Sequence, residues 1–352
     1  MAQRPKQSSV WVVKHKPTGL PELSGDHPTF VLEQANLPPL RKDQILVKAL
    51  YYSNDPAQRS WIDPSIPKER LYVPPVDAGE PMRARGLGQV VDSTSANVAV
   101  GSIVRGNVNW REYTILDADS VFVIEPPPGL SSTHYLGALG NTGLTAYYGL
   151  VIVSEARKSD RIVVSGAAGA TGSMVVQIAK KIVGATHVIG IAGSDEKCRW
   201  VEELGADKCL NYKSSHFERD LHEATSAGVD VFYDNVGGSI LDTMLARMSR
   251  HGRIAACGAI SEYNTSNPCV LKHYFHIISM RLHIRGFILF DYPPAEALEA
   301  QNLLQQAIVD GKLSISDGNE TIVPTTFEDV PRTWLRLFDG NNTGKLVTRL
   351  VE

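Results

Sequence analysis

The sequence predicts an α/β protein of two domains, a small β-rich one followed by a doubly wound parallel sheet, and three observations carry that prediction. The chain has 352 residues, beyond the length at which one hydrophobic core usually stops growing. Up to about residue 130, short β-type runs are punctuated by Gly, Pro, Asn and Asp; beyond it, strand-like runs alternate with helical patterns. The first alternation, RIVVSGAAGATGSMVVQIAKK at 161–181, sets three glycines between an apolar run and a helical pattern.

The early runs are SSVWVV, DQILVKALYY, LGQVVD, SIVRG, REYTIL and VFVIE, which fit a small barrel-like domain. PPPG at 126–129 breaks that pattern, and SSTHYLGALGNTGLTAYYGLVIVSEA follows with apolar residues at helical spacing. RIVVSG then reads as a strand and SMVVQIAKKIV as a helix. THVIGIAG with DEKCRWVEELG, ending at Gly205, makes a second pair, and GVDVFYDNVGG with SILDTMLARMSRHG a third. RIAACGAI adds another strand, so the second half is of Rossmann type. After RLHIRGFILF, the helix AEALEAQNLLQQAIVDG and the pieces TIVPTTF and GKLVTRLVE close the chain and are expected to return to the first domain. The division expected is therefore 1–130 with 295–352, and 131–294 for the nucleotide-binding domain.

Composition narrows the partners. Charged residues are 21% of the chain and the net charge is −3 with no one-signed run, which gives no electrostatic case for nucleic acid or an anionic membrane. No apolar stretch has the length of a signal core or a membrane span, so a cytoplasmic protein acting on a small molecule is expected. The four cysteines, Cys198, Cys209, Cys257 and Cys269, form no CxxC pair and read as reduced thiols. Of the ten histidines only His273 and His276 have metal spacing, and without nearby Cys or carboxylate ligands they read as a helix surface.

Counted back from Gly172, Ala167 to Gly172 is AxGxxG, the dinucleotide fingerprint with alanine for its first glycine. That exchange is tolerated only where the turn needs no positive φ at Ala167. Gly169 lets the backbone approach a pyrophosphate, Gly172 lets the helix pack closely on its strand, and the helix from about Ser173 presents free amides. At the end of the next strand, where an NAD enzyme places an acidic residue against the ribose, stands IAGS. Gly193 and Ser194 leave room for a 2′-phosphate, with Lys197 one helical turn on, so NADPH is favoured. Asp195 and Glu196 are accounted for as first-turn residues behind a Ser194 cap.

The whole chain resembles the medium-chain dehydrogenase/reductase superfamily, in particular its zinc-free alkenal double-bond reductases and leukotriene B4 12-hydroxydehydrogenase/prostaglandin reductases. The motifs that carry the resemblance are SNDPAQR (53–59), AAGATG (167–172), AGSDEKC (192–198), NYK (211–213), DNVGG (234–238), CGAISEYN (257–264), RGFIL (285–289) and GNNTGK (340–345). It implies a GroES-like β-barrel domain beside the Rossmann domain, and a homodimer. The zinc-dependent branch uses Cys and His ligands in its first domain, whereas no cysteine precedes Cys198.

For the cofactor, the resemblance implies that Gly169, Ala170, Thr171 and Gly172 form the phosphate loop, that Lys197 and Tyr212 hold the 2′-phosphate, and that Asn235 lies near the middle of the cofactor. Cys257, Gly258, Ala259, Ile260, Ser261 and Tyr263, with Phe287, Ile288, Leu289 and Asn342, match positions around the nicotinamide half. Tyr263 is the catalytic candidate, over the substrate carbonyl, and Tyr51 faces substrate. The implied reaction is NADPH-dependent reduction of the C=C bond of an enal or enone, with the hydride going to the β-carbon. Two readings compete with it: oxidation of an allylic or secondary alcohol or reduction of a quinone on the same scaffold, and a non-catalytic NADPH-binding protein. DPAQR stands where the family commonly has DPYMR, and LGNTG where LGMPG is common, so the pocket is expected to be smaller-sided and more polar.

Overall fold

The computed structural model describes residues 4–351 and divides into two compact units, one reaching Leu136 and resuming at Thr321, the other Gly137–Glu320. The first unit begins with an antiparallel hairpin of β1 (Gln7–Val13) and β2 (Phe30–Asn36). It continues with β3 (Gln44–Ser53), β4 (Gly86–Ser93), β5 (Ile103–Gly106), β6 (Tyr113–Asp117) and β7 (Phe122–Val123). β3 is central because its apolar run is buried on both faces; it pairs antiparallel with β4 and β6. β2 has no clean alternation and three consecutive exposed residues, which is why the sequence pattern does not mark it.

In the second unit, α1 (Asn141–Tyr147) is followed by β8 (Arg161–Val164), α2 (Ala170–Ile178), β9 (His187–Ala192), α3 (Asp195–Glu203), β10 (Lys208–Asn211) and α4 (Phe217–Ala224). Then come β11 (Val229–Asp234), α5 (Gly238–Leu245), β12 (Met248–Ala256), α6 (Tyr274–Ser279), β13 (His283–Gly286) and α7 (Pro294–Val309). Its sheet is parallel, in the order β10-β9-β8-β11-β12-β13, so the winding reverses between β8 and β11. Ligands of such sheets bind at the carboxyl ends of the strands beside that reversal. The sequence reading passes over β10 and α4, so that β11 with α5, expected as the third strand and helix pair, is the fourth. β10 is four residues long, and α4 buries only Phe217 and Leu221.

The second unit extends past residue 294, where the sequence reading ends it. Tyr292 stacks on Tyr148 with ring centroids 3.9 Å apart, and the Ser314 amide donates to Gln177 Oε1 at 2.7 Å, which keeps α7 with the nucleotide sheet. The chain ends in the first unit with β14 (Glu320–Thr325), α8 (Val330–Asp339) and β15 (Lys345–Leu350), β15 pairing antiparallel with β3. α8, also absent from the sequence reading, buries Trp334 against Phe30 and Trp110, at centroid distances of 6.1 and 5.7 Å.

β15 also carries a buried charge into this unit. Lys345 Nζ donates to Asp55 Oδ1 at 2.5 Å and to the Asn54 carbonyl at 3.0 Å, with the lysine side chain 3% exposed. Burial alone raises the Asp55 carboxyl, but the attraction and hydrogen bond of Lys345, with the Ser53 hydroxyl, outweigh it and hold the group below its ordinary value. A carboxyl with a depressed folded pKa stabilises above its unfolded pKa and loses that contribution as pH falls through the folded one. Lys345→Met strands the carboxylate and should cost about 3 kcal/mol in urea unfolding near neutral pH, with the deficit shrinking toward acid. An equal deficit at every pH would contradict the ion pair.

Candidate functional site

The strand-to-helix turn after β8 is built from clashes that only glycine avoids. Gly166 adopts φ +58° and its carbonyl accepts the Gly169 amide at 2.9 Å. An added Cβ on Gly172 would lie 2.2 Å from that carbonyl oxygen, so helix and turn touch here. Ala167 is not among the residues with positive φ; its amide donates to the Ile191 carbonyl at 2.9 Å. The left-handed step belongs to Gly166, one residue earlier than the fingerprint count places its first glycine. α2 starts at Ala170 rather than near Ser173, and its first i to i−4 bond runs from the Ser173 amide to Gly169 at 2.9 Å. The amides of Ala170, Thr171 and Gly172 therefore open the helix, where the dipole is positive.

At the end of β9, Ser194 caps α3, its Oγ accepting the Lys197 amide at 3.2 Å. The Tyr212 ring lies where a Gly193 Cβ would approach within 3.1 Å, so that glycine seats the ring. Asp195 accepts from Asn211 Nδ2 at 2.7 Å, which pins the turn after β10 to the first turn of α3. Lys213 lies 5.8 Å from the centroid of the Tyr212 ring. Burial first, then the like charge of Lys213, pull the Lys197 ammonium below its ordinary value, against Glu196. Lys213 was quoted in the sequence motif but not assigned a role.

Past β11, Asn235 turns inward: its Nδ2 donates to the Ser165 carbonyl at 2.7 Å, and its backbone amide donates to Ser165 Oγ at 2.9 Å. Gly237 and Gly238 have φ of +68° and +56°, and their added Cβ atoms would meet Ala259 Cβ at 2.9 Å and Ser261 Oγ at 2.6 Å. The loop after β12 thus packs on the two glycines, its Ser261 Oγ donating to the Val236 carbonyl at 2.7 Å. Tyr263 folds back on this loop, its phenol oxygen accepting the Ala259 amide at 3.2 Å. After β13, Phe287 meets Tyr233 edge-on, 6.4 Å between centroids, in space left by Gly149. Ile288 and Leu289 are half-buried beside it.

In the first unit, Tyr51 lies half-buried in β3, opposite Leu87 and Arg349, and Asn342 donates from Nδ2 to the Gly344 carbonyl at 3.0 Å. The remaining site residues of the sequence reading, Gly169 to Leu289, all follow the carboxyl ends of strands in one parallel sheet. Ser165 and Asp234 belong with them and were not anticipated, since neither residue type stands out in a strand end.

Residues 9–124 match the family described as the N-terminal domain of oxidoreductase, and residues 170–306 the family described as zinc-binding dehydrogenase. Prostaglandin reductase 1 of Bos taurus is 33% identical over 343 residues, 96% of this chain and 98% of that one. The NADPH-dependent curcumin reductase of Escherichia coli is 31% identical, covering 99% of each chain. CurA of Vibrio vulnificus, solved in complex with NADPH, superposes with a TM-score of 0.87 at 31% identity, covering 98% of this chain and 99% of the other. The chain belongs to the medium-chain dehydrogenase/reductase family. It has that family's GroES-like and Rossmann domains. Among the described residues, no group of three or more His, Cys, Asp or Glu is placed to hold a metal, and no helix is long and apolar enough to cross a membrane. His273 is engaged by Asp242, whose carboxylate meets its Nδ1 at 3.0 Å and its amide at 2.8 Å.

Proposed function

We propose that this NADPH-dependent oxidoreductase reduces the carbon–carbon double bond of α,β-unsaturated aldehydes and ketones. The residues fit the dinucleotide. Gly172 clears the turn, the amides of Ala170, Thr171 and Gly172 suit a diphosphate, and Lys197, Lys213 and Tyr212 suit a 2′-phosphate. Asn235 holds the phosphate loop to the turn after β11 through Ser165. When bound, NADPH supplies the hydride for the β-carbon.

Reduction at the β-carbon leaves negative charge on the carbonyl oxygen, and the protein must meet it with a donor. Tyr263 is the residue proposed for that task, and the observation that carries the reading is its hydrogen bond from Ala259. An amide donating to a phenol oxygen fixes the ring and makes its O–H a stronger donor. Tyr51 is proposed to face the substrate from β3, and Asn342 to serve the nicotinamide half. A second copy of the chain is the proposed partner. Among the described residues β13 pairs with β12 on one side only, and in α6, which precedes it in the chain, Phe275 and Ile278 are 69% and 61% exposed. Two such edges pairing antiparallel about a twofold axis would continue the sheet.

With NADPH and an enal or enone, consumption at 340 nm should proceed, and Tyr263→Phe should lower kcat about a hundredfold while leaving NADPH affinity unchanged. Undiminished turnover would remove the phenol from the reaction. Lys197 loses its proton at a lower pH than an ordinary lysine, so NADPH affinity should fall relative to NADH as pH rises from about 7 toward about 10. Lys197→Ala should flatten that trend, and a titration in which both nucleotides weaken equally would count against the phosphate contact. Light scattering should return twice the chain mass, and Ile278→Glu should halve it; a dimer that survives this change lies on another face.

A further inference from the structure

A cavity of about 270 Å³ opens between α3 and β10, lined among others by Cys198 and Glu202 of α3 and by Cys209 and Asn211 of β10. The two cysteines are 7% and 8% exposed and face this one cavity from neighbouring elements, Cys198 from α3 and Cys209 from β10. This pair plays no part in the reaction proposed above, yet it sits directly behind residues assigned to the 2′-phosphate. Lys197 precedes Cys198, and β10 runs from Cys209 through Asn211 into Tyr212.

We propose that Cys198 and Cys209 are a redox modification site, at which hydrogen peroxide entering the cavity links them in a disulfide that weakens the hold on the 2′-phosphate. The Cys198 thiolate attacks one peroxide oxygen; the O–O bond breaks, and the departing hydroxide takes up a proton to become water. That leaves a sulfenic acid on Cys198. The Cys209 sulfur then attacks the Cys198 sulfur, the S–O bond breaks, and the hydroxide released combines with the Cys209 proton as the second water. The two sulfurs lose two electrons and the peroxide gains two. The thiols are unequal in the sense this order requires. The hydrogen bond from Cys209 lowers Cys198 against burial and the Asp195 and Glu202 carboxylates, while the same bond and burial hold Cys209 high.

The consequence is geometric. The sulfurs of two free thiols lie well beyond the roughly 2.05 Å of a disulfide, so closing the bond draws α3 toward β10. β9 leaves little slack for that motion, because an added Cβ on Gly190 would lie 3.0 Å from Cys209 Sγ and 2.7 Å from Val201. The displacement therefore falls on the first turn of α3, where Ser194 caps the helix and Asp195 meets Asn211.

This inference rests on the assignment of Lys197 and Tyr212 to the 2′-phosphate, and its test separates the two. Full-length protein is treated with hydrogen peroxide without nucleotide, digested without reductant and mapped by mass spectrometry, while NADPH and NADH affinities are read by fluorescence titration. A peptide joining Cys198 to Cys209, two hydrogens lighter and released by dithiothreitol, is expected. With it should come an about tenfold weaker NADPH affinity, as for loss of one charged contact, a smaller change for NADH, and recovery on reduction. Cys209→Ser should keep its NADPH affinity after peroxide and trap a sulfenic acid at Cys198, whereas Cys269→Ser should respond like the parent. Absence of the joined peptide overturns the proposal, as does a joined protein that binds NADPH as tightly as the reduced one. Failure of the 2′-phosphate assignment appears separately, as equal NADPH and NADH affinities in the reduced protein.

Discussion

At the carboxyl end of β11, Asp234 gathers the loops of the nucleotide sheet onto one residue. Its Oδ1 accepts the Ser165 hydroxyl at 2.8 Å and the amides of Val236 and Gly237 at 3.0 Å each. Its main-chain carbonyl accepts the amides of Cys257 and Gly258 at 2.9 and 3.1 Å. The phosphate turn, the double-glycine turn and the loop bearing Tyr263 are thereby fixed to one another at the reversal between β8 and β11. Burial raises this carboxyl above its ordinary value, against the amides of Gly237 and Val236 and the Ser165 hydroxyl that favour its charge. A buried carboxylate is tolerated only where donors surround it, so the glycines that bring their amides this close belong to the same constraint.

That constraint explains which parts of the site were legible in the sequence. Gly169 and Gly172 stand in a strand–turn–helix context whose geometry admits few other residues, and the structure gives Gly172 the contact that the fingerprint requires. Gly166 escaped because a count anchored on Gly172 assigned the first position to Ala167, whereas the backbone turns left-handed one residue before it. Short elements escaped for a different reason. β10 and α4 hold too few apolar residues for a period to emerge, and only long-range pairing with β9 makes β10 a strand. α8 was missed between two β-like pieces, although Val330, Trp334 and Leu337 share one face and the Trp334 ring anchors the core of the first unit.

The two units handle charge differently. In the first, Lys345 and Asp55 neutralise one another at contact distance, and the ion pair holds the start of β15 to the turn after β3. In the second, burial first and then repulsion from Lys213 oppose the charge on Lys197. Repulsion of this kind lowers stability, and in the function proposed above the 2′-phosphate would relieve it. The Asn211 to Asp195 hydrogen bond acts in the same place, holding the two lysine-bearing segments together.

Enals, the substrates proposed above, carry a hazard for thiols. Such substrates alkylate thiolates, and Cys257 opens the loop that carries Tyr263. Burial first pushes the Cys257 thiol up to about 11, with the Asp234 charge adding to the shift and the Tyr233 hydroxyl opposing it. At neutral pH the thiol then stays protonated. The amide of Cys257 nevertheless contributes to the Asp234 junction, so the residue serves through its backbone while its sulfur stays protonated. In the reaction proposed above, a strand end could thus hold a thiol beside an electrophile without reacting with it, because desolvation outweighs the Tyr233 hydrogen bond.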